Sequence, residues 1–193
     1  MSSLSVNGSA LDENTAYFLG SWRRCPFDAS IMPQALHVDE RTCKLVLGSF
    51  DAEFNNLWRF HAVSTGVVIE LTNPSDGVKS KMMPQMSHLF INSRLSLTTE
   101  RDEAAIFELA DYAPFRAGPG DVALQLFCDG HVLGSDEKSG VVFLQDPHVA
   151  ENAHLNGSSN VLNVAWEATP DTDEAVGGEI ADVPEWLQDM LLA

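Results

Sequence analysis

The sequence predicts a mainly β protein: an antiparallel, β-sandwich-like single domain that carries one or two short helices. Apolar and polar residues alternate in several segments with the period of a half-buried strand. Clusters of Gly, Pro, Asn and Asp separate these segments at short spacings, which favours antiparallel strands over βαβ units. A chain of 193 residues, 45% of them hydrophobic, can bury the core that such a domain needs.

The candidate strands follow from this alternation. In the segment VVIELT, Val67, Ile69 and Leu71 fall on one face while Glu70 falls on the other, because successive strand side chains point to opposite faces. The predicted strands are 44–50, 57–63, 67–72, 89–97, 122–128, 141–145 and 160–168. The connectors between them are predicted to be turns and loops, at 72–77, 116–121, 129–140 and 156–160.

One internal helix is predicted within the segment TTERDEAAIFELADYA, residues 98–113. Thr99 is a suitable N-cap, and acidic residues follow it in the first turn, where they complement the helix dipole. On such a helix Ile106, Phe107 and Ala110 would share a side. An irregular strand is the alternative for the same residues.

Composition divides the chain into three parts. Residues 1–14 are expected to be a flexible N-terminus, and 15–168 a β-rich globular domain. Residues 169–193 are expected to be an acidic linker followed by a short C-terminal helix. The linker prediction depends on a composition of Pro, a double Gly, small residues and acids, which buries too little apolar area to order itself.

The last residues, DVPEWLQDMLLA, have the pattern of an amphipathic helix that starts at Asp182. Asp182 and Glu185 have the spacing of a capping box, and Pro184 suits a first turn. The predicted apolar patch joins residues one turn apart, with two acids outside it. Trp186 lies near Met190 and Leu187 near Leu191, and the two acids are Glu185 and Asp189.

A helix of about ten residues is marginal in water, so another surface must order it. It folds back onto the sheet of its own chain, or it lays its Trp and Leu side chains into a groove on a partner protein. A tail that is merely frayed is the remaining alternative. On the second hypothesis the acidic residues before the helix steer it toward a basic partner. The predicted partner-binding residues are then Trp186, Leu187, Met190, Leu191, Glu185 and Asp189, with Asp171, Asp173 and Glu174.

The charge of the chain supports the partner hypothesis. The net charge is −17, from 28 acidic and 11 basic residues, and residues 139–193 contain ten acids and no Lys or Arg. Such a surface repels phosphate backbones and anionic membranes, so neither direct nucleic-acid binding nor membrane binding is expected. Adaptation to a salty cytoplasm is the alternative explanation of the acidity.

A second candidate contact site is the segment VKSKMMPQMSHLF, residues 78–90. Met82, Met83 and Met86 are adaptable apolar side chains that suit a surface able to repack against partners, and Lys79 and Lys81 lie beside them. The alternative is a loop whose methionines close the edge of the protein's own core.

Metal binding and catalysis find little support in the sequence. Cys128, His131, His148 and His154 lie close in sequence, but their spacings match no standard zinc finger or ribbon. Asp129 and the glycine after it are predicted to form a hairpin turn, with Cys128 as a small buried hydrophobe. His61 is expected at the surface or rim. No common catalytic or nucleotide-binding motif occurs, so we expect no enzyme, no cofactor and no metal.

The function predicted from these observations is that of a non-enzymatic acidic protein-binding protein, an adaptor or inhibitor. A nucleic-acid-mimicking inhibitor of viral or mobile-element type, a structural subunit of a virion or other assembly, and a small-ligand or metal-dependent enzyme are the alternatives. A homo-oligomer is possible. Three cysteines, no apolar run of about 20 residues and no signal-peptide pattern at the start indicate a soluble cytoplasmic protein with free thiols.

Overall fold

The prediction of a mainly β protein is confirmed in the part of the chain that the structure describes. The computed structural model describes residues 4–6, 9–21, 34–49, 56–82, 88–111, 122–136, 139–148, 162–163 and 166–171. Within these ranges α1 (Asp76–Met82) is an α-helix, residues 147–148 are also helical, and a 3-10 turn lies at Arg101–Glu103. The strands are β1 (Leu4–Val6), β2 (Ser9–Leu11), β3 (Tyr17–Ser21), β4 (Gln34–Asp39), β5 (Lys44–Ser49), β6 (Trp58–Val63), β7 (Gly66–Leu71), β8 (Leu89–Ile91), β9 (Leu97–Thr98), β10 (Glu108–Asp111), β11 (Val122–Cys128), β12 (His131–Asp136), β13 (Val141–Gln145), β14 (Leu162–Asn163) and β15 (Trp166–Pro170).

All the described strand pairings are antiparallel. Strands β1 and β2 pair with each other, and the other 13 strands form one sheet in the order β10-β11-β12-β13-β5-β4-β3-β6-β7-β8-β9. Strand β14 pairs with β12. Strand β15 pairs with both β11 and β3, which are far apart in that order, so the sheet curls on itself. The finer prediction of a two-layer sandwich stays a prediction.

The core lies on one face of this curled sheet, as the alternation in the sequence predicts. On β7, Val67, Ile69 and Leu71 belong to the core cluster, whereas Glu70 lies on the opposite face. Trp58 and Trp166 are fully buried in the core, and both indole N–H groups are satisfied. Trp58 Nε1 donates to the carbonyl oxygen of Leu36 at 3.2 Å, and Trp166 Nε1 donates to that of Leu133 at 3.0 Å.

Five predicted strands agree with observed strands to within a residue at each end: 44–50, 57–63, 67–72, 122–128 and 141–145. The prediction of a single strand at 89–97 is wrong, because a turn divides it into β8 and β9. Asn92 Oδ1 accepts backbone N–H bonds from Arg94 and Ser96, and Leu95 has a positive φ of 55°. Segment 160–168 contains β14 and the first part of β15.

The predicted loop at 129–140 is wrong for half of its length, where strand β12 lies. The hairpin turn at its start is confirmed, since Asp129 and Gly130 have positive φ values of 50° and 75°. Cys128, just before the turn, is buried as predicted. Strand β12 begins directly after the turn and buries Val132 and Leu133. The strand was predicted as a loop because glycine and polar residues make up much of its sequence, HVLGSD.

The predicted loop at 72–77 is also partly wrong, because α1 begins at Asp76. Ser75 precedes the helix, accepting a hydrogen bond from the Lys79 N–H at its carbonyl oxygen. Asp76 lies in the first turn and Lys79 and Lys81 in the last, as the helix dipole favours. Lys81 Nζ also donates to the carbonyl oxygens of Glu40 and Arg41, at 2.6 and 2.7 Å. These contacts hold α1 against the turn between β4 and β5.

The predicted helix within 98–113 is wrong, and the irregular strand is right. Only the 3-10 turn at Arg101–Glu103 is helical, and it leads into strand β10, which pairs with β11. Phe107 lies between the 3-10 turn and β10, and its backbone exchanges two N–H···O bonds of 2.8 Å with that of Val67. Ala105 and Phe107 are buried while Ile106 is 45% exposed, which is the period of a strand. Pairing with two neighbours outweighed the local helix signals.

No helix among the described residues has the length and apolar character needed to cross a membrane. Cys43 and Cys128 are free thiols buried in the fold. Burial, together with the charge of Asp129, raises the pKa of the Cys128 thiol. Both cysteines therefore act as small hydrophobic side chains.

Candidate functional site

The face of the sheet opposite the core brings together several polar side chains on β6, β7 and β8. Glu70 lies directly across from Arg59 of β6 on one side and from Phe90 of β8 on the other. His61 is two residues beyond Arg59, and His88 is two residues before Phe90. Since side chains two residues apart share a face, both histidines lie on the same face as Glu70. The sheet register thus places one carboxylate between two imidazoles.

Glu70 is a nearly buried carboxylate that both histidines hold. Its side chain is only 8% exposed, compared with 29% for His61 and 77% for His88. His61 Nε2 lies 2.5 Å from Glu70 Oε2, and His88 Nδ1 hydrogen-bonds the other oxygen, Oε1. Each carboxylate oxygen therefore has its own imidazole donor, as a buried carboxylate needs.

These contacts keep Glu70 ionised. Burial alone would raise its pKa, because a low-dielectric environment disfavours the charged form. The hydrogen bonds from His88 and His61, and the positive charge of these rings when protonated, outweigh burial and bring the pKa of Glu70 below its ordinary value. At neutral pH the site contains a carboxylate anion.

An open cleft of about 350 Å³ lies over this cluster, and we call it the histidine cleft. The ring of Phe90 packs between the two imidazoles, 6.3 Å from that of His61 and 6.2 Å from that of His88. The guanidinium carbon of Arg101 lies 5.9 Å from the centre of the same ring. The residues that line the cleft are His61, Glu70, His88, Phe90, Thr99 and Arg101.

The segment between β9 and β10 positions Arg101 and Thr99. Thr98 Oγ1 donates to Glu103 Oε2 at 3.0 Å and accepts the backbone N–H of Glu100 at 3.1 Å. These bonds hold the 3-10 turn close to the end of β9. As a result, Arg101 reaches over Phe90 from a different part of the chain than either histidine.

The hydrogen bonds to Glu70 decide which imidazole nitrogens face outward. With both rings neutral, His61 carries its proton on Nε2 and His88 on Nδ1, because those atoms must donate to the carboxylate. His61 Nδ1 and His88 Nε2 then remain to accept a proton or a hydrogen bond.

The arrangement does not converge on a metal ion. The two imidazoles bind different oxygens of Glu70, so their nitrogens spread along the carboxylate. No group of three or more His, Cys, Asp and Glu side chains in the described ranges is arranged to hold a metal ion. Of the residues considered for zinc, Cys128 and His131 flank a hairpin turn, His131 and His148 are exposed, and His154 lies outside the described residues.

Two of the predicted partner-binding residues lie within the described structure. Met82 ends α1, is partly buried and packs against the core. Asp171 follows β15, and its backbone N–H donates to the carbonyl oxygen of Ala16 at 2.7 Å. The others lie outside the described residues: Met83, Met86, Asp173, Glu174, Glu185, Trp186, Leu187, Asp189, Met190 and Leu191.

Sequence reasoning placed His61 at the rim and overlooked Glu70, His88 and Arg101. One signal was present: Glu70 interrupts the apolar run VVIEL, and a carboxylate in a buried strand requires a partner. The partners themselves were not visible, because His88 is 18 residues from Glu70 and Arg101 follows a further turn. The strand register alone brings them together.

Comparison of the chain with protein-family models, with curated proteins and with solved structures finds no match.

Proposed function

We propose that this chain is a non-enzymatic acidic protein-binding protein, an adaptor or inhibitor, which engages a basic or groove-like surface of a partner protein through residues 169–193. The observation that carries this proposal is the uneven distribution of charge. Residues 139–193 contain ten acidic residues and no Lys or Arg, and 28 acids face 11 bases in the whole chain. All the bases therefore lie in the first 138 residues.

A concentrated negative charge affects partner choice and association rate more than affinity. It attracts a basic partner surface over roughly the Debye length, about 8 Å at physiological salt, and repels acidic ones. Affinity then requires apolar contacts in a desolvated centre. The proposed amphipathic helix supplies them with Trp186, Leu187, Met190 and Leu191.

The described core supports a proposal in which the sheet provides the folded body and residues 169–193 provide the partner contact. Ala168 on β15 belongs to it, and its two largest described members, Trp58 and Trp166, are buried with satisfied indole groups. Asp171 is tied by its backbone to Ala16 at the end of the same strand. The acidic segment therefore starts from a defined point of the sheet.

The methionines of 82–86 are a secondary part of the proposal. Met82 packs against the core from the end of α1, which agrees with the alternative that it closes the core edge. Met83 and Met86 remain proposed contact residues, because adaptable thioether side chains next to Lys79 and Lys81 suit a partner surface of mixed character.

The test begins with the full chain and a chain that ends at Asp171. Both are immobilised, the proteins captured from a cell extract are identified, and the affinity of each purified candidate is then measured at several salt concentrations. We expect a basic partner that binds the full chain, loses affinity as salt rises, and does not bind the shortened chain. Thermal unfolding of the two chains checks that the sheet is intact in both.

Two matched variants separate the apolar from the electrostatic contribution. Trp186→Ala with Leu187→Ala should mainly raise the dissociation rate, because it removes the apolar anchors. Asp173→Asn with Glu174→Gln should mainly lower the association rate and flatten its dependence on salt. The proposal is wrong if the shortened chain binds the partner as tightly as the full chain does. It is also wrong if the shortened chain does not fold, because residues 172–193 would then be needed by the sheet itself. Self-assembly of the pure full chain, with no partner captured, would instead indicate a structural subunit.

A further inference from the structure

We propose that the histidine cleft is a binding site for a small oxyanion, and that the anion binds together with a proton taken up by His61 or His88. This inference concerns the sheet and goes beyond the proposed function of the C-terminal segment. It depends on the geometry of the side chains that line the cleft: His61, Glu70, His88, Phe90, Thr99 and Arg101.

Arg101 is the first reason to expect an anion. Its guanidinium carbon lies over the Phe90 ring, 5.9 Å from the ring centre, and no ion pair to a carboxylate is found for it among the described residues. A guanidinium group presents five N–H donors in a planar fork that matches the oxygens of a carboxylate, sulfate or phosphate.

The histidines are the second reason. One nitrogen of each ring donates to Glu70, so the other nitrogen, Nδ1 of His61 and Nε2 of His88, is an acceptor while the ring is neutral. Protonation turns that nitrogen into a donor without disturbing the bond to Glu70. The protonated ring can then join Arg101 in donating to a bound oxyanion.

Glu70 is the third reason, because it compensates the charge of the protonated rings. One nitrogen of each histidine donates to this nearly buried carboxylate, so a positive charge on either ring lies beside a negative one. With one histidine protonated, Glu70, that histidine and Arg101 sum to a single positive charge.

The same electrostatics argues against a divalent cation. A metal ion would have to displace the imidazole protons, lie close to the Arg101 guanidinium group, and find ligands that do not converge. The other charged groups near the cleft are few. They are Arg59 opposite Glu70 on β6, Glu13, which accepts the N–H of Ala62 next to His61, and Glu100, Asp102 and Glu103 around the 3-10 turn.

The test uses the full chain and two probes, sulfate and acetate, whose charges do not change between pH 6 and pH 8. Imidazole nitrogen resonances are followed by NMR during each titration. We expect saturable shifts of His61 and His88, no shift of the exposed His131, and an affinity about tenfold higher at pH 6 than at pH 8, because the anion and the proton bind together. The probe that binds more tightly tells whether the cleft prefers a tetrahedral anion or a carboxylate.

Two pairs of variants complete the test. Arg101→Gln and His88→Gln should each weaken anion binding about tenfold or more, whereas Arg94→Gln and His131→Gln, which change exposed residues of the same types elsewhere, should leave it unchanged. Because all four side chains are exposed, the variants are expected to fold, and circular dichroism confirms it. Equal responses of His88 and His131 to the probes would overturn the proposal. So would an effect of Arg94→Gln as large as that of Arg101→Gln, or binding of zinc at the two histidines with no response to either anion.

Discussion

Glu70 shows at the scale of one residue how a charged group can occupy a buried strand. Its two oxygens each receive a donor, one from His61 and one from His88, so little of its hydrogen-bonding capacity is lost on leaving water. The remaining cost of burial is offset by the favourable charge of the two rings when they are protonated. Removing the charge should therefore be felt in the stability of the fold.

Glu70→Gln should lower the free energy of unfolding by about 1–3 kcal/mol at pH 7, the range for hydrogen bonds to a charged group. The pKa of Glu70 is lower in the folded chain than its ordinary value of 4.5. Its ionised form therefore contributes stability above that value, and the contribution is lost as the pH falls through the lower folded pKa. Urea unfolding of both proteins at a series of pH values should show a difference that shrinks in acid.

Glu108→Gln is the control, since Glu108 is an exposed glutamate on β10. It should change stability by less than about 0.5 kcal/mol at any pH. A loss for Glu70→Gln that stays constant down to the most acidic pH at which the protein folds would contradict the assignment of the ionised form.

Asn56 is a second residue whose role is a single buried hydrogen bond. It is 9% exposed, and its Oδ1 accepts the backbone N–H of Val38 at 2.8 Å. Asn56→Ala leaves that N–H group without a partner and should cost about 1–3 kcal/mol. Hydrogen exchange at the Val38 amide should become faster. Unchanged exchange at Val38, or an equal loss in the exposed Asn14→Ala control, would show that the bond is not the cause.

At the scale of elements, the hairpins depend on backbone geometry that the sequence partly announces. Gly130 and Gly140 both have positive φ values, 75° and 69°. Gly130 directly precedes β12, and Gly140 directly precedes β13. Their surroundings differ. A Cβ atom on Gly130 would meet nothing within 4 Å, whereas one on Gly140 would lie 2.9 Å from the carbonyl oxygen of Leu47 on β5.

Gly130→Ala should therefore cost about 1 kcal/mol, the price of a positive φ in a residue with a Cβ atom. Gly140→Ala should cost clearly more, because the same strain is joined by a clash with a backbone atom that cannot move away. Urea unfolding of the two variants under identical conditions measures the difference. Equal losses would mean that the contact between Gly140 and β5 is not as close as described.

Segment 98–113 shows why element type can be mistaken from sequence. A cap residue, early acids and an apolar group at helical spacing are real local preferences. They are each worth about 1 kcal/mol or less, whereas the observed arrangement pairs Phe107 with Val67 and β10 with β11 and buries Ala105. The several backbone bonds and buried side chains outweigh the local preferences.

At the scale of the whole molecule, β15 joins two distant parts of the sheet. It pairs with β11 on one side and with β3 on the other, and its Trp166 is fully buried with its indole bonded to Leu133 of β12. A strand near the end of the chain thereby depends on strands formed from its beginning and its middle. Such long-range pairing makes the unfolding of the described sheet cooperative.

Trp166→Ala should destabilise the protein by about 3–5 kcal/mol, because it leaves a large cavity between these strands. If that variant does not fold, Trp166→Phe keeps most of the apolar volume and removes the indole donor, with a smaller expected loss of about 1–3 kcal/mol. Guanidinium unfolding followed by circular dichroism measures both. Under the proposed function, Trp186→Ala should leave stability nearly unchanged, and a loss as large as that of Trp166→Ala would place Trp186 in the core.

Much of the described sheet could be predicted from the sequence. The alternation in 67–72 gives the strand, the core face of Val67, Ile69 and Leu71 and the opposite face of Glu70, because strand geometry turns a period of two directly into two faces. The Asp129–Gly130 turn follows equally directly, since both residue types tolerate a positive φ. These features depend only on neighbours along the chain.

The neighbours of each strand were decided by the tertiary structure alone. The pairing of β15 with β3, the exchange of bonds between Phe107 and Val67, and the meeting of His61, Glu70 and His88 all join residues that the sequence leaves apart. The physical reason is that pairing register is a property of the whole sheet, in which buried area and backbone bonds are satisfied together. The sequence by itself determined strand faces, the hairpin turn and the charge of the chain, and the fold decided which side chains form a site.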